Sequence, residues 1–227
     1  QLVIAAGSSK KVWELCETLD HAVVAPVPSL FTFNINDKRL VDLLGTSVPN
    51  ATVTISGTKL EASGPLLITH WGMSGPAILK LSAFGARILA DKHYQYNVEV
   101  NWLSRPTDKV LNVLLNLKKK EPRKTVILKS PFTEVSRRLW ERFVLFSDIS
   151  KTQNWADLNN AQLEKLANQL TKGIYNANGR TTFKEEFVTA GGVDLKEINF
   201  KRFESRKHNN LFFVGEVLNI DAVTGGF

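Results

Sequence analysis

Short continuous apolar runs lie at both ends of the chain, LVIAA at residues 2–6 and LFFV at residues 211–214. Runs of this length without alternation are typical of strands covered on both faces of a parallel sheet. Apolar residues then recur at helical spacing over residues 12–19, so the first run predicts a strand, a turn and a helix. We therefore expect residues 1–28 and 190–227 to form one α/β layer into which the rest of the chain is inserted.

Inside this layer the pattern changes to strict alternation of apolar and polar residues, which is typical of half-buried antiparallel strands. We expect a β-rich, barrel-like domain from residues 29–103 and 172–189. In it, residues 181–188 return as a strand, and the glycines of TAGGV at residues 189–193 turn the chain back towards the α/β layer. The alternating apolar positions are Phe31, Phe33 and Ile35, then Val53 and Ile55, then Tyr94, Tyr96, Val98, Val100 and Trp102.

Between residues 104 and 171 the apolar period becomes that of a helix, which predicts a three-helix insert. Pro122 and Pro131 separate the first two helices, and Asn159 or Asn160 is placed to cap the third. The predicted fold class is therefore an α/β layer with an inserted antiparallel β-rich domain and a helical insert. The apolar positions of the three helices are Val110, Val113, Leu114 and Leu117, then Leu139, Phe143 and Phe146, then Leu163, Leu166, Ala167 and Leu170.

Composition excludes several classes of protein. The 227 residues are 43% hydrophobic, which is enough for a sizeable core. The longest apolar region, residues 66–90, is interrupted by His70, Lys80 and Arg87, so we expect no membrane-spanning helix. Cys16 is the only cysteine, which excludes an internal disulfide and thiolate zinc sites and favours a cytoplasmic location. The histidines show no His-Glu-x-x-His spacing, so no metal site is predicted.

The net charge of +7 is concentrated in one segment. Residues 104–171 hold thirteen Lys or Arg and seven Asp or Glu, a net charge of +6. The densest run, KKKEPRK at residues 118–124, spans Pro122 and predicts a solvated loop between two helices. Two alternatives stay open: the segment contacts nucleic acid or an acidic partner, or it mediates self-association. Trp140 and Phe143 occupy packing positions and are not interleaved with the basic residues, which argues against nucleic acid.

The stretch GPLLITHWGMSGPAIL, residues 64–79, combines special backbone residues with polar side chains ahead of a predicted helix. Gly72 and Gly75 permit a close approach of two backbones or a left-handed conformation. Pro76 suits a first helical turn, and Ser74 stands where a cap would accept backbone N–H groups. A helix N-terminus built in this way can face an anion or a polarised ring.

Two further motifs adjoin the terminal strands. AAGSS, residues 5–9, places small residues between a predicted strand and a helix, where they let the backbone approach a ligand or simply form a strand-to-helix turn. VGEVLNIDAVTGGF, residues 214–227, places Glu216 just beyond the other predicted strand. If the two strands share a sheet, we expect Gly7 and Glu216 to border one crevice.

These motifs, VIAAGSS near the start, GPLLITHWGMSGPAIL, and VTAGGVDLKEI with LFFVGEVLNIDAVTGGF near the end, resemble those of the YhiN-like (BaiN-like) flavoproteins. These are bacterial FAD-dependent oxidoreductases, mostly of unassigned substrate. The resemblance covers nearly the whole chain and implies a Rossmann-type FAD-binding layer interrupted by a barrel and a helical insert. It also implies FAD as cofactor, NAD(P)H as a candidate reductant, and a pyrophosphate loop ahead of residue 1. We therefore expect this chain to be an inactive fragment that binds FAD weakly or not at all.

The resemblance assigns cofactor contacts to three parts of the chain. Glu216 is expected to accept hydrogen bonds from ribityl hydroxyls, and the Gly225–Gly226 pair to present N–H groups to the pyrimidine edge of the flavin. Asn219 stands where the family usually has Asp, and Ala6 stands where it usually has Thr. The predicted cofactor-binding residues are Gly7, Ser8, Trp71, Gly75, Glu216, Asn219, Asp221, Gly225 and Gly226.

The same resemblance implies that His70, Trp71 and Ser74 lie over the reactive face of the flavin. His70 and Ser74 are then the candidate catalytic residues, because His70 is the one proton carrier in this segment. A purely structural, hydrogen-bonded role for His70 stays open. The predicted function is that of an FAD-dependent oxidoreductase acting on a small-molecule substrate. The alternative is a non-enzymatic binding module that uses the basic helical segment.

Overall fold

The computed structural model describes residues 1–181 and 188–223. The chain divides into two compact units. The α/β unit consists of Gln1–Phe31, Ser82–Asp91 and Thr182–Phe227, and the barrel unit consists of Thr32–Leu81 and Lys92–Thr181. The three-part division predicted at residues 28/29, 103/104, 171/172 and 189/190 stays a prediction.

The described residues form the following strands and helices. The strands are β1 (Leu2–Ile4), β2 (Val23–Ser29), β3 (Thr32–Ile35), β4 (Ser47–Ile55), β5 (Glu61–Ile68), β6 (Gly72–Ser74), β7 (Gln95–Asn101), β8 (Gly173–Thr181), β9 (Val188–Val193), β10 (Ile198–Asn199), β11 (Glu204–Ser205) and β12 (Leu211–Phe213). The α-helices are α1 (Lys10–Thr18), α2 (Pro76–Phe84), α3 (Ala86–Asp91), α4 (Thr107–Lys120), α5 (Arg137–Phe146) and α6 (Asn160–Thr171).

Six strands of the barrel unit close into an antiparallel barrel in the order β3-β6-β5-β4-β7-β8. Successive side chains of a strand point to opposite faces, and Phe33, Val53 and Val98 are fully buried as their alternation predicts. Tyr94 departs from the predicted alternation, because its φ of 57° lies outside the extended region and β7 begins after it. The predicted barrel-like domain is confirmed.

The three predicted helices of the barrel unit are α4, α5 and α6. Asn159 caps α6 through a capping box with Gln162, one of the two capping residues predicted. The basic run at 118–124 is only partly a loop, which corrects the prediction: Lys118–Lys120 form the last turn of α4. Lysine is favoured there because the free carbonyl groups at the end of a helix attract cations.

A buried arginine joins the barrel to α6 within the barrel unit. Arg39 donates to both carboxylate oxygens of Asp37, and its Nη1 donates to Gln169 Oε1 at 2.9 Å. Its guanidinium carbon lies 3.8 Å from the ring centroid of Tyr175, whose hydroxyl accepts a hydrogen bond from Trp102 Nε1 at 3.2 Å. Burial by itself raises the pKa of Asp37, but the hydrogen bonds and charge of Arg39 outweigh it and hold that pKa below its ordinary value.

The two ends of the chain meet in a four-stranded sheet of the α/β unit, in the order β1-β12-β11-β10. β1 pairs in parallel with β12, with Ile4 opposite Phe213, while the other two pairings are antiparallel. The expected joining of the termini in one α/β layer is confirmed. Burial of β1 on both faces was a wrong expectation: Leu2 and Val3, whose side chains point to opposite faces of the sheet, are 55% and 59% exposed, so neither face is covered at these residues.

The segment TAGGV was predicted to turn, and this is wrong, because it lies within strand β9, which pairs antiparallel with β2. Its glycines serve a close approach of backbones. A Cβ on Gly191 would lie 2.7 Å from Pro26 Cα, and one on Gly192 would lie 2.5 Å from the carbonyl oxygen of Val217. Most of the strand predicted over residues 181–188 lies outside the described residues, since 182–187 are not described.

Together these elements confirm the predicted fold class, an α/β protein that carries an antiparallel barrel and helices as an insert. Within residues 1–181 and 188–223, no helix is long and apolar enough to span a membrane.

Candidate functional site

A tight hairpin between β5 and β6 carries His70 and Trp71. Thr69 N–H donates to Gly72 O at 2.8 Å, and the Trp71 carbonyl accepts from Ile35 N–H at 2.8 Å. Gly72 has a φ of 144°, and a Cβ there would lie 2.4 Å from the carbonyl oxygen of Phe33. The predicted close approach at Gly72 is therefore present, and it fixes the hairpin against β3.

Pro76 begins α2, as predicted, but Ser74 does not cap it. The first helical hydrogen bond runs from Leu79 N–H to Gly75 O at 2.9 Å, so the capping position is Gly75, one residue later than expected. Ser74 ends β6, and its hydroxyl oxygen accepts a hydrogen bond from Thr32 Oγ1 at 3.0 Å. Gly75 has a φ of 94°, a region that glycine tolerates better than other residues.

His70 and Trp71 line a cavity of about 300 Å³ at the surface of the barrel unit. His70 is exposed, and its ring makes no hydrogen bond within residues 1–181 and 188–223, so the structural role left open for it has no support there. The Trp71 side chain is 54% exposed. The complete lining is Asn34, Ile35, Asn36, His70, Trp71 and Asn178.

In the α/β unit, Gly7 and Glu216 each follow one of the paired parallel strands. Ile4 O accepts a hydrogen bond from Val214 N–H at 3.0 Å, which extends the pairing of β1 and β12 towards both residues. Because the carboxyl ends of parallel strands meet at one edge of a sheet, the two positions lie at the same edge. Gly7 has a φ of 59°, and a Cβ there would meet nothing within 4 Å.

Glu216 is tied to the neighbouring ribbon of β2 and β9. Its Oε1 accepts the backbone N–H of Thr189 at 2.8 Å. The hydroxyls of Thr189 and Ser29 are buried and have no hydrogen-bond partner within residues 1–181 and 188–223. Unpaired buried polar groups are costly, so these two hydroxyls lower the stability of the ribbon next to Glu216.

The remaining predicted residues have more varied positions. Asn219 N–H donates to Val193 O at 2.9 Å, and its side-chain oxygen accepts from Arg87 Nη2 at 3.3 Å. Ser8 is half-buried in the segment before α1, and Asp221 is exposed. The predictions for Gly225 and Gly226 lie outside the described residues.

The structure thus groups the predicted residues by unit. Gly7, Ser8, Glu216, Asn219 and Asp221 belong to the α/β unit, whereas His70, Trp71, Ser74 and Gly75 belong to the barrel unit. Sequence reasoning missed Asn34, Asn36 and Asn178, which share the cavity with His70. Asparagine is common in turns, so its identity alone gave no signal, although Asn34 lies at a polar position of an alternating strand.

A metal centre finds no support among residues 1–181 and 188–223, where no three His, Cys, Asp or Glu side chains come together as ligands. Cys16 is buried in the core of the α/β unit, and this burial raises its pKa. A raised pKa suppresses the thiolate, so this cysteine is placed as a core residue rather than as a nucleophile.

The pattern of the "HI0933-like protein barrel and H2TH domain" matches residues 27–188. The chain belongs to the HI0933-like family, whose members are flavoproteins.

Three named relatives are similar to this chain over 97% of its length. The chain is 27% identical over 223 residues to a protein of Haemophilus influenzae named ribosomal RNA dihydrouridine synthase, covering 97% of this chain and 52% of that protein. An Escherichia coli protein of the same name is 27% identical, with 97% and 53% covered. A 3-dehydro-bile acid delta(4,6)-reductase of Clostridium scindens is 22% identical, with 97% and 54% covered. The chain thus spans about half the length of each of these relatives, which include a reductase.

Proposed function

We propose that this chain is part of an FAD-dependent oxidoreductase that reduces a carbon–carbon double bond conjugated to a carbonyl group. The observation that carries the proposal is the parallel pairing of β1 with β12, which brings Gly7 and Glu216 to one edge of a sheet. Open α/β sheets bind ligands beyond the carboxyl ends of their strands. Membership of a flavoprotein family supports FAD as that ligand.

The chemistry of the residues at this edge fits a flavin dinucleotide. A ribityl chain carries several hydroxyls, each able to donate and to accept. Glu216 is half-buried and uses Oε1 to accept the N–H of Thr189, which leaves Oε2 as an acceptor. Gly7 leaves open space beside the backbone. When bound, FAD supplies hydride or electron transfer, which no side chain of this chain can provide.

The names of the relatives support the type of bond that is reduced. Dihydrouridine differs from uridine by saturation of one ring double bond conjugated to a carbonyl, and the bile acid enzyme is named for the reduction of double bonds in a 3-dehydro (oxo) steroid. Such a reduction adds two electrons and two protons in total. The electrons come from a reductant such as NADH or NADPH. Assays of flavin reduction with each nucleotide will show which of the two the enzyme prefers.

The role left to the protein is to orient the substrate and to provide one proton. We assign that proton to His70, because its ring is exposed and makes no competing hydrogen bond within the described residues. The Ser74 hydroxyl oxygen accepts a hydrogen bond from Thr32 Oγ1, so the Ser74 hydroxyl hydrogen is available to donate. A cytoplasmic location, inferred from the lone cysteine, and a small-molecule substrate remain predictions of the sequence.

The test is the absorbance spectrum of the intact gene product, followed by reoxidation of the reduced flavin with candidate substrates. We expect stoichiometric flavin absorbance and reduction by NADH or NADPH. Glu216→Gln keeps an acceptor for Thr189 but loses the charge, so flavin occupancy should fall. Glu204→Gln is the matched control, since Glu204 accepts the N–H of Asn210 at 2.9 Å in the same sheet. A colourless wild-type protein would refute the proposal.

A second candidate function is nucleic-acid binding by the helical segment, against which the sequence pattern argued. It is favoured by a groove of about 660 Å³ lined by Arg123, Lys124 and Lys129 and by Leu128, which is 60% exposed. Glu121 also lines the groove and pairs with Lys124 at 2.9 Å, so the net charge of these four ionised side chains is +2. Two relatives are named for a ribosomal RNA substrate. Phosphate contacts predict an affinity that falls steeply with salt. The double variant Arg123→Gln with Lys129→Gln tests this groove. If it shifts the mobility of ribosomal RNA as much as wild type does, the groove is not the binding site.

A further inference from the structure

The indole ring of Trp71 lines the cavity and does not pack in a hydrophobic core. A tryptophan buries a large apolar area when it packs in a core, and four of the five tryptophans do so. Trp71 instead presents its ring beside three carboxamides. The exposed fractions are 5% for Trp13, 0% for Trp102 and Trp140, 2% for Trp155 and 54% for Trp71.

The backbone under Trp71 is rigidly held. Its N–H donates to Thr69 Oγ1 at 3.3 Å, its carbonyl accepts from Ile35 N–H at 2.8 Å, and the following Gly72 fits against β3 without room for a side chain. An exposed aromatic ring on a fixed hairpin is a preorganised surface for stacking, because little backbone freedom is lost when a flat ligand binds.

Three carboxamides line the cavity, and that of Asn34 has a defined role. The Asn34 side-chain oxygen accepts the hydroxyl of Thr181 at 2.7 Å, which leaves its NH₂ group as a donor that has no acceptor within the described residues. Gly179, with a φ of 104°, borders this group: a Cβ there would lie 3.4 Å from Asn34 Nδ2. Asn36 and Asn178 are exposed in the same lining and add donors and acceptors, and no Asp, Glu, Lys or Arg of residues 1–181 and 188–223 lines the cavity.

We propose that this cavity recognises a flat, uncharged heterocycle with an imide edge, C=O, N–H, C=O, which stacks on Trp71 and accepts a hydrogen bond from Asn34. The proposal rests on the proposed function and names the ring that the barrel unit would bind. At about 300 Å³ the cavity is at the small end of ligand pockets and suits a single ring system. Two sources carry this edge: a uracil base of a substrate and the pyrimidine ring of the flavin.

The experiment is calorimetric titration of the intact gene product, with its flavin bound and after the flavin is removed. The probes are uridine, N3-methyluridine, dihydrouridine and riboflavin. If the source is a substrate base, uridine binds the flavin-loaded protein. If it is the flavin, uridine binds only the stripped protein and riboflavin displaces it. In both cases N3-methyluridine, whose edge is blocked, and the non-planar dihydrouridine bind more weakly. No binding of uridine or riboflavin to either form would overturn the proposal.

Substitutions of Trp71 and Asn34 test the stacking of the ligand ring and the hydrogen bond to its imide edge separately. Trp71→Ala should weaken binding by roughly five- to a hundredfold, the range of a lost base–aromatic stack, and Trp71→Phe should restore much of it. Asn34→Asp keeps the acceptor for Thr181 but replaces the free donor with a second acceptor, and we expect a loss of about tenfold. Asn97→Asp is the matched control: Asn97 is exposed on β7, outside the cavity, and its oxygen accepts from Asn176 Nδ2 at 3.3 Å.

The outcomes distinguish this proposal from the proposed function. A flavin-loaded, reductase-active protein whose affinity for uridine and riboflavin is the same in Trp71→Ala, Asn34→Asp and wild type would leave the function standing and refute the cavity assignment. A colourless protein that binds uridine with the expected dependence on Trp71 and Asn34 would refute the oxidoreductase and leave the cavity assignment standing.

Discussion

The barrel unit and the α/β unit differ in whether their sheets leave strand edges with unpaired backbone groups. The barrel closes on itself through six strands, so its ladder leaves no strand edge open. The α/β unit is built from three separate stretches of chain, and among the described residues its four-stranded sheet ends in the three-residue strand β1. Buried polar atoms without a hydrogen-bond partner among the described residues occur in both units, at Ser29, Thr189 and His21 Nδ1 in the α/β unit and at the Tyr96 hydroxyl in the barrel unit. The open edge of its sheet therefore distinguishes the unit that carries the proposed cofactor edge.

The largest expected effect tests the closure of the barrel unit. Arg39→Ala removes the buried partner of the half-buried Asp37 and should cost about 3 kcal/mol of unfolding free energy, the low end for a buried pair, because the carboxylate loses its compensating charge. Arg142→Ala is the matched control: Arg142 pairs with the largely exposed Asp42 at 3.1 Å, and exposed pairs contribute at most about 1 kcal/mol. Urea denaturation measures both variants. Equal losses would show that Arg39 is not a buried anchor.

The next largest effect tests the α/β unit. Gly192→Ala places a Cβ 2.5 Å from the carbonyl oxygen of Val217, so the backbone of β9 or of its neighbour has to shift. Gly215→Ala is a control that also has a positive φ, 76° against 131° at Gly192, but its Cβ meets open space, and the left-handed conformation costs about 1–2 kcal/mol. We expect Gly192→Ala to lose more stability than this, with faster hydrogen exchange in β2 and β9 than in the barrel strands. An equal loss in both variants would contradict the close approach.

A smaller effect depends on pH. His21 is buried in the α/β unit, and its Nε2 lies 2.8 Å from Ser205 Oγ. That oxygen already accepts N–H groups from Lys207 and His208, so it donates its proton to His21. Burial is the main cause that lowers the pKa of His21, and repulsion by His208 and Lys207 adds to it against the attraction of Glu197.

A lowered pKa means that the unfolded chain binds the proton more readily. This contribution to stability is therefore present above the ordinary histidine value near 6.5 and is lost as the pH falls through the folded-state pKa. His21→Gln should flatten the dependence of the urea midpoint on pH between about 5 and 8. His70→Gln, at an exposed position, should leave it unchanged. A wild-type protein whose stability is constant over this range would contradict the burial argument.

The smallest expected effect on stability is that of Trp71→Ala. Surface substitutions away from special features usually stay within about 0.5 kcal/mol, and most of the Trp71 ring is already in water. Circular dichroism melting should therefore match wild type. A loss as large as that of Gly192→Ala would mean that the ring supports the hairpin, and it would weaken the cavity assignment.

Elements whose side chains repeat with one period were predictable from sequence. The alternation at Val98 and Val100 and the helical spacing at Leu163 and Leu166 each have one structural solution that buries the apolar face. The β2 strand, VVAPVPS, was not predicted, because its two prolines argue against a strand interior. TAGGV was misread because glycines that allow close packing look the same in sequence as glycines that turn the chain.

The candidate site was predictable where a motif adjoins a predicted strand. Gly7 and Glu216 were identified in this way, because a parallel pairing of the terminal runs brings their ends together. Asn34 and Asn178 were not, since their meeting depends on the pairing of β3 with β8 across an irregularity in register that local pattern does not encode. Arg39 was missed for a related reason: its partners Gln169 and Tyr175 are far along the chain.

The burial of Cys16 gives the α/β unit an intrinsic reporter. It is the one thiol of the chain, it is fully shielded from water, and the barrel unit has none. Alkylating reagents reach such a sulfur only when the surrounding core opens. The rate of modification under native conditions therefore reads the opening equilibrium of one half of the molecule without an engineered label, and a bound dinucleotide that tightens this half would slow it.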